Sequence, residues 1–187
     1  MRSSEDRLPT VAGLALLEHA LQMTGIAAPP LATLEYPEGS PPHWTEGPRF
    51  SLSHTDGLVA CAVTADCAVR FGIDIERIRP ISSASLRLAM PEARLHARLG
   101  AAELLAAWTR CEAVLKAAGA SLTESRAVRL PEPGNEAAFA GRVWRLTPLA
   151  LPTGFVGSCA SSNPDCDIDV MVAGSRPFLD NRRPGGG

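Results

Sequence analysis

At 187 residues the chain can bury a core without disulfides or a structural metal. Apolar residues make up 45% and charged residues 20%, which excludes a disordered chain; a formal net charge of −2 excludes a general nucleic-acid binder, whose surface must be positive. No run reaches the roughly eighteen apolar residues of a membrane span, and Met1 to Arg7 is charged with no signal-like cleavage pattern, so a cytoplasmic protein with no membrane partner is expected.

In chain order, Ala12, Leu14, Leu16, Leu17, Ala20 and Leu21 recur at helical spacing and predict a helix over Val11 to Thr24, ended by Gly25. Residues 27–47 are rich in proline and predict a loop with a short strand near Leu34 to Tyr36. Phe50 and Leu52 then alternate with Ser51 and Ser53, and Asp56-Gly57 leads into the apolar run Leu58 to Val63, which predicts a hairpin. Val69 to Ile75 alternates as a third strand. Leu86 to Leu99 is a helical stretch broken at Pro91, and Ala101 to Ala118, free of glycine and proline, is the clearest helix in the chain. Val128 to Leu130, Ala138 to Leu149, Phe155 to Ala160 and Ile168 to Val172 predict the later strands.

Helix, strands, helix, strands is the order of an α+β protein. The break around Pro80 and Ser82 to Ser85 sets a boundary near residue 85, giving an N-terminal half (1–85), a C-terminal half (86–175) and a disordered tail (176–187). The five cysteines, Cys61, Cys67, Cys111, Cys159 and Cys166, are odd in number and contain no C-x-x-C pair, so neither a disulfide framework nor a zinc site is expected.

Asp74 and Glu76 lie one residue apart in Gly72-Ile73-Asp74-Ile75-Glu76, so on a strand both carboxylates share a face while Ile73 and Ile75 turn to the core. Such a pair suits a hard cation such as Mg²⁺, although an isolated D-x-E is more often the polar face of an edge strand. On the following helix Glu112 and Lys116 are four residues apart with Trp108 a turn earlier; a plain ion pair accounts for that spacing equally well. Ser51-Leu52-Ser53-His54-Thr55-Asp56 has the small hydroxyls and imidazole that can meet a phosphate, or it is a serine-rich turn. A serine hydrolase is disfavoured, since neither serine sits in a G-x-S-x-G elbow.

In this order, Phe50 to Thr55, Gly72 to Glu76 and Trp108 to Lys116 resemble the three signature segments of Sfp-type 4′-phosphopantetheinyl transferases. The resemblance extends from Gly39-Ser40-Pro41-Pro42 to Ala160. It implies two similar α+β halves related by pseudo-twofold symmetry, complete as a monomer, with coenzyme A between them. It implies Asp74, Glu76 and Glu112 as Mg²⁺ ligands, Ser53 and His54 at the coenzyme A phosphates, Lys116 at the pyrophosphate, and Glu112 as the group that accepts a proton from the attacking serine. The implied partner is an acyl or peptidyl carrier protein of fatty-acid, polyketide or nonribosomal-peptide synthesis.

Two positions depart from the family. Cys111 stands where a lysine is common, and the adjacent Arg110 is turned about 100° away round the helix. The N-terminal part offers only Arg7 and Arg49 for the 3′-phosphate of coenzyme A. Arg87, Arg94 and Arg98, with Leu86, Leu95 and Leu99, are candidates for receiving an acidic carrier, or form a solvated helix face. A module that binds coenzyme A or a carrier without transfer is the alternative, as is a metal-dependent phosphohydrolase in which water replaces the serine.

Overall fold

The computed structural model describes residues 4–37, 41–81, 100–131, 134–163, 165–166 and 168–174, with side chains from Val11 onward. Helix α1 (Ser4–Thr24) turns Ala12, Leu16, Leu17 and Ala20 inward. It begins well before Val11, because its start carries Ser4-Glu5-Asp6, a polar and acidic opening that suits a helix N-terminus and leaves no apolar period to detect.

Strands β1 (Arg49–Thr55) and β2 (Leu58–Thr64) form the expected hairpin, with Gly57 supplying the positive φ of 88° that the connection needs. Every residue of β2 is buried, because the strand is central and covered on both faces. Val59, Cys61 and Val63 pack against α1, while Leu58, Ala60 and Ala62 pack against Ile73 and Ile75 of β3 (Phe71–Arg77).

The chain is α+β, with two antiparallel sheets: β1-β2-β7, where β7 is Asp169–Gly174, and β3-β6-β5-β4, where β6 is Phe155–Ser161, β5 is Arg142–Pro148 and β4 is Glu136–Phe139. Helix α2 (Ala101–Ala118) lies on the second sheet and packs Ala113, Val114 and Ala117 with Trp144 and Leu146 of β5 (Arg142–Pro148) and Ala160 of β6 (Phe155–Ser161). Its ends are set by Glu103, which accepts the Gly100 N–H at 2.7 Å, and by Gly119 in the left-handed region.

Several expected boundaries move. The segment Ala138 to Leu149 is two strands, β4 (Glu136–Phe139) and β5, reversed at Ala140 and Gly141, both with positive φ. Alanine is an uncommon residue for that conformation, which hides the turn from a reading by residue type. Val128 to Leu130 is not a strand; a 3-10 turn over Leu122–Ala127 leads to a single bridge between Arg129 and Ala138. Near Leu34 to Tyr36 there is likewise only one bridge, Glu35 to His43.

The last strand, β7 (Asp169–Gly174), returns to pair with β2, while β3 pairs with β6. The sheets therefore exchange strands across residue 85, and a cut there would separate β3 from its partner. Leu86 to Leu99, including Arg87, Arg94 and Arg98, and the tail 176–187 lie outside the described residues. Among the described residues no helix is long and apolar enough to cross a membrane.

Candidate active site

Strand β3 ends its sheet, and an edge strand needs partners for its outward N–H groups. They come from side chains of β1. The hydroxyls of Ser51, Ser53 and Thr55 accept from the backbone N–H groups of Ile73, Ile75 and Arg77 at 3.1, 3.2 and 3.1 Å. The alternation of β1 thus divides two tasks: Phe50 and Leu52 join the core beneath α1, and the hydroxyl face forms a seam that closes the edge of the second sheet.

The opposite requirement holds between β3 and α2, which approach closely at Gly72. A Cβ at that position would lie 2.5 Å from Ala117 N and 2.6 Å from Ala113 O, so only glycine admits the helix. That approach sets α2 over the strand carrying Asp74 and Glu76. The Lys116 ammonium donates to Asp74 Oδ1 at 2.6 Å and to Ser53 Oγ at 3.2 Å, and Ser53 Oγ donates to Asp74 Oδ1 at 2.9 Å. Thr109, two turns before Lys116 on α2, and Ser158, opposite Asp74 on β6, join their hydroxyls at 3.2 Å and fix the same helix face further along the sheet.

Asp74 is buried, and its second oxygen, Oδ2, has no hydrogen-bond partner among the described residues. Glu112 is pushed up to about 7, first by burial and then by the charge of Asp74, against Lys116 and the hydrogen-bonding Trp108 indole. The tryptophan at the head of this helix face is thereby accounted for. Glu76 is raised by burial and by Asp74, against Arg79, Lys116 and the Thr55 hydroxyl. His54 is lowered by partial burial of its ring and then by Lys116, with Asp74 opposing.

These groups suit a hard divalent cation chemically: carboxylate oxygens that repel one another, one of them buried and unpartnered. Among the described residues no three His, Cys, Asp or Glu side chains already form a metal cage. The positive charge against Asp74 is that of Lys116.

Beside this cluster a cleft of about 840 Å³ runs under the Pro41 to Phe50 segment, and Lys116 lies on its wall. Arg49 lines it too, anchored by its Nε to the Cys67 carbonyl at 2.7 Å. Ser53, His54, Asp74, Glu76 and Glu112 do not line it, whereas Glu35 and Glu46 do. The Ser53 hydroxyl is fully engaged, donating once and accepting twice, which exhausts what a hydroxyl can do. The side chain of Arg7 lies outside the described part of α1.

Cys111 is wholly buried in the core, its thiol pushed up to about 12, first by burial and then by the charges of Glu112 and Asp74, so it supplies no positive charge at this position. Arg110 is held to the Gly134 carbonyl at 2.7 Å. Two signals escaped the sequence reading. Arg70, just before β3, also lines the cleft. Lys116 is the only lysine in a chain that otherwise carries arginine, and its place beside a buried carboxylate calls for a compact ammonium. No family model matches the chain, and no curated protein matches it either.

Proposed function

We propose that the chain is an Mg²⁺-dependent 4′-phosphopantetheinyl transferase, transferring the phosphopantetheine arm of coenzyme A to a serine of an acyl or peptidyl carrier protein. The observation that carries this reading is buried Asp74, bonded through one oxygen to Lys116 and Ser53, unpartnered at the other, and repelled by Glu76 and Glu112. On this reading the two halves are related by pseudo-twofold symmetry, the monomer is complete, and the enzyme works in the cytoplasm.

Asp74, Glu76 and Glu112 are the residues that would hold the metal, and Mg²⁺ bound there would supply polarisation of the pyrophosphate and neutralise charge on the leaving adenosine bisphosphate. The carrier serine Oγ forms its bond to the β-phosphorus, the bond from that phosphorus to the bridging oxygen breaks, and 3′,5′-adenosine bisphosphate departs with the electron pair. Lys116 places its ammonium where phosphoryl charge grows, from a position on the wall of the cleft that takes coenzyme A. Glu112, the carboxylate on the helix that carries Lys116, accepts the serine proton. Arg49 and Arg70 receive phosphate oxygens on the cleft walls.

The test is intact mass of a panel of apo carrier proteins incubated with coenzyme A and Mg²⁺. A phosphopantetheine mass gain, abolished by Asp74→Ala and by Glu112→Ala, is the expected result. Coenzyme A binding with no gain on any carrier would instead favour a binding module.

A further inference from the structure

Of the three hydroxyls that close the β1–β3 seam, Ser53 is bonded to both Asp74 and Lys116. Its oxygen accepts from Ile75 N–H and from the Lys116 ammonium, and its proton goes to Asp74 Oδ1. Ser51 does the same backbone work one rung away, accepting from Ile73 N–H. The two serines thus share a structural role and differ in their bonds to the charged pair.

We propose that Ser53 is a positioning residue: its hydroxyl locks the Lys116–Asp74 pair to the seam between the two sheets rather than contacting a ligand. What the pair is for rests on the transferase reading; that Ser53 holds it does not. Three elements meet at this one oxygen, β1 through Ser53 itself, β3 through Ile75 and Asp74, and α2 through Lys116. Lys116 rises on a long flexible stem, so its headgroup keeps one place only where several fixed partners define it. Asp74 Oδ1 and Ser53 Oγ are those partners, at 2.6 and 3.2 Å.

The chain tests this without any assay of activity, because Lys116 is its only lysine and the α-amine serves as an internal reference. The full chain is pulsed with an amine-acetylating reagent, and acetylation of Lys116 is read by peptide mass spectrometry for the wild type, Ser51→Ala, Ser53→Ala and Ser53→Thr. Both alanine variants lower Tm, since each leaves a backbone N–H of β3 without its hydroxyl. Ser53→Ala alone raises Lys116 acetylation, by about tenfold, and Ser53→Thr, which keeps the hydroxyl, returns it towards the wild-type rate. If Ser53→Ala does not fold, Ser53→Cys, of similar shape with a weaker donor, takes its place and shows the same rise.

Acetylation within about twofold of wild type, or an equal rise in Ser51→Ala, overturns the proposal. A second reading separates it from ligand contact: in a Lys116→Met background, adding Ser53→Ala leaves coenzyme A affinity unchanged if Ser53 acts only through Lys116, and lowers it further if the hydroxyl meets a phosphate. Failure of carrier modification by the wild type would remove the transferase reading and leave the acetylation result in force.

Discussion

The Lys116 ammonium lies 2.6 Å from Asp74 Oδ1, joining the last turn of α2 to the middle of β3. The lysine side chain is 32% exposed and the aspartate 6%, so the pair has one foot in solvent and one in the core. Lys116→Met leaves Asp74 buried with no cation against it and lowers stability by about 2 kcal/mol, less than for a fully buried pair because the lysine end is hydrated. Lys116→Arg keeps the charge but brings a planar fork larger than the ammonium it replaces. It lowers carrier modification by about a hundredfold or more, whereas a merely charge-dependent site would keep most of its rate. Urea denaturation and the intact-mass assay measure the two effects.

Gly72 marks the closest approach of β3 and α2. Gly72→Ala sets a methyl group against backbone atoms of Ala117 and Ala113, which cannot turn aside, and costs about 3 kcal/mol. Gly119→Ala is the control: a methyl there meets nothing within 4 Å, so only its left-handed φ of 68° is strained and the cost is about 1 kcal/mol. Equal losses in the two variants would mean that α2 does not depend on the contact at Gly72.

The parts of this arrangement that were legible in the sequence are those governed by local period. Alternation placed Asp74 and Glu76 on one face and Ile73 and Ile75 on the other, and the unbroken helical composition of Ala101 to Ala118 placed Glu112 and Lys116 together. What could not be read depends on partners distant in sequence. The hydroxyls of Ser51, Ser53 and Thr55 looked like a polar strand face, yet they satisfy a strand some twenty residues away, as the pairing of Ser51 with Ile73 shows. Nothing local tells β7 to return to β2, and Ala140 concealed the β4–β5 turn. Arg70 shares a cleft with Lys116 only after the fold brings them together.

Two groups give the stability of the metal-free chain opposite pH dependences. Glu112 is raised from its ordinary 4.5 to about 7, so the folded form holds its proton more tightly than the unfolded form. Its contribution is complete below 4.5 and is lost as pH rises through about 7. His54 is lowered from 6.5, mainly by burial, so its contribution is complete above 6.5 and is lost as pH falls through its folded value. In chelator-containing buffer, Glu112→Gln therefore gains on the wild type as pH rises between about 5 and 8, and His54→Asn gains as pH falls over the same range. Parallel urea titrations measure both, and matching slopes for the two variants would remove the electrostatic account.

Arg70 tests what the cleft receives. Its backbone is held at both ends, N–H to Ser162 Oγ at 3.0 Å and carbonyl from Ser162 N–H at 2.8 Å, so the side chain projects from a fixed base into the space shared with Arg49 and Lys116. No salt bridge to a carboxylate engages Arg70 or Arg49 among the described residues, whereas Lys116 is paired with Asp74. An arginine without an internal partner, anchored beside a nucleotide-sized cleft, fits a phosphate better than a structural role. Arg70→Ala is expected to weaken coenzyme A by about tenfold while leaving Tm unchanged. Calorimetric titration with coenzyme A and with its 3′-dephospho form locates the contact: if Arg70 meets the 3′-phosphate, the variant loses affinity only for coenzyme A and the preference between the two ligands disappears. An equal loss for both places the arginine at the pyrophosphate, and no loss for either removes it from the binding surface.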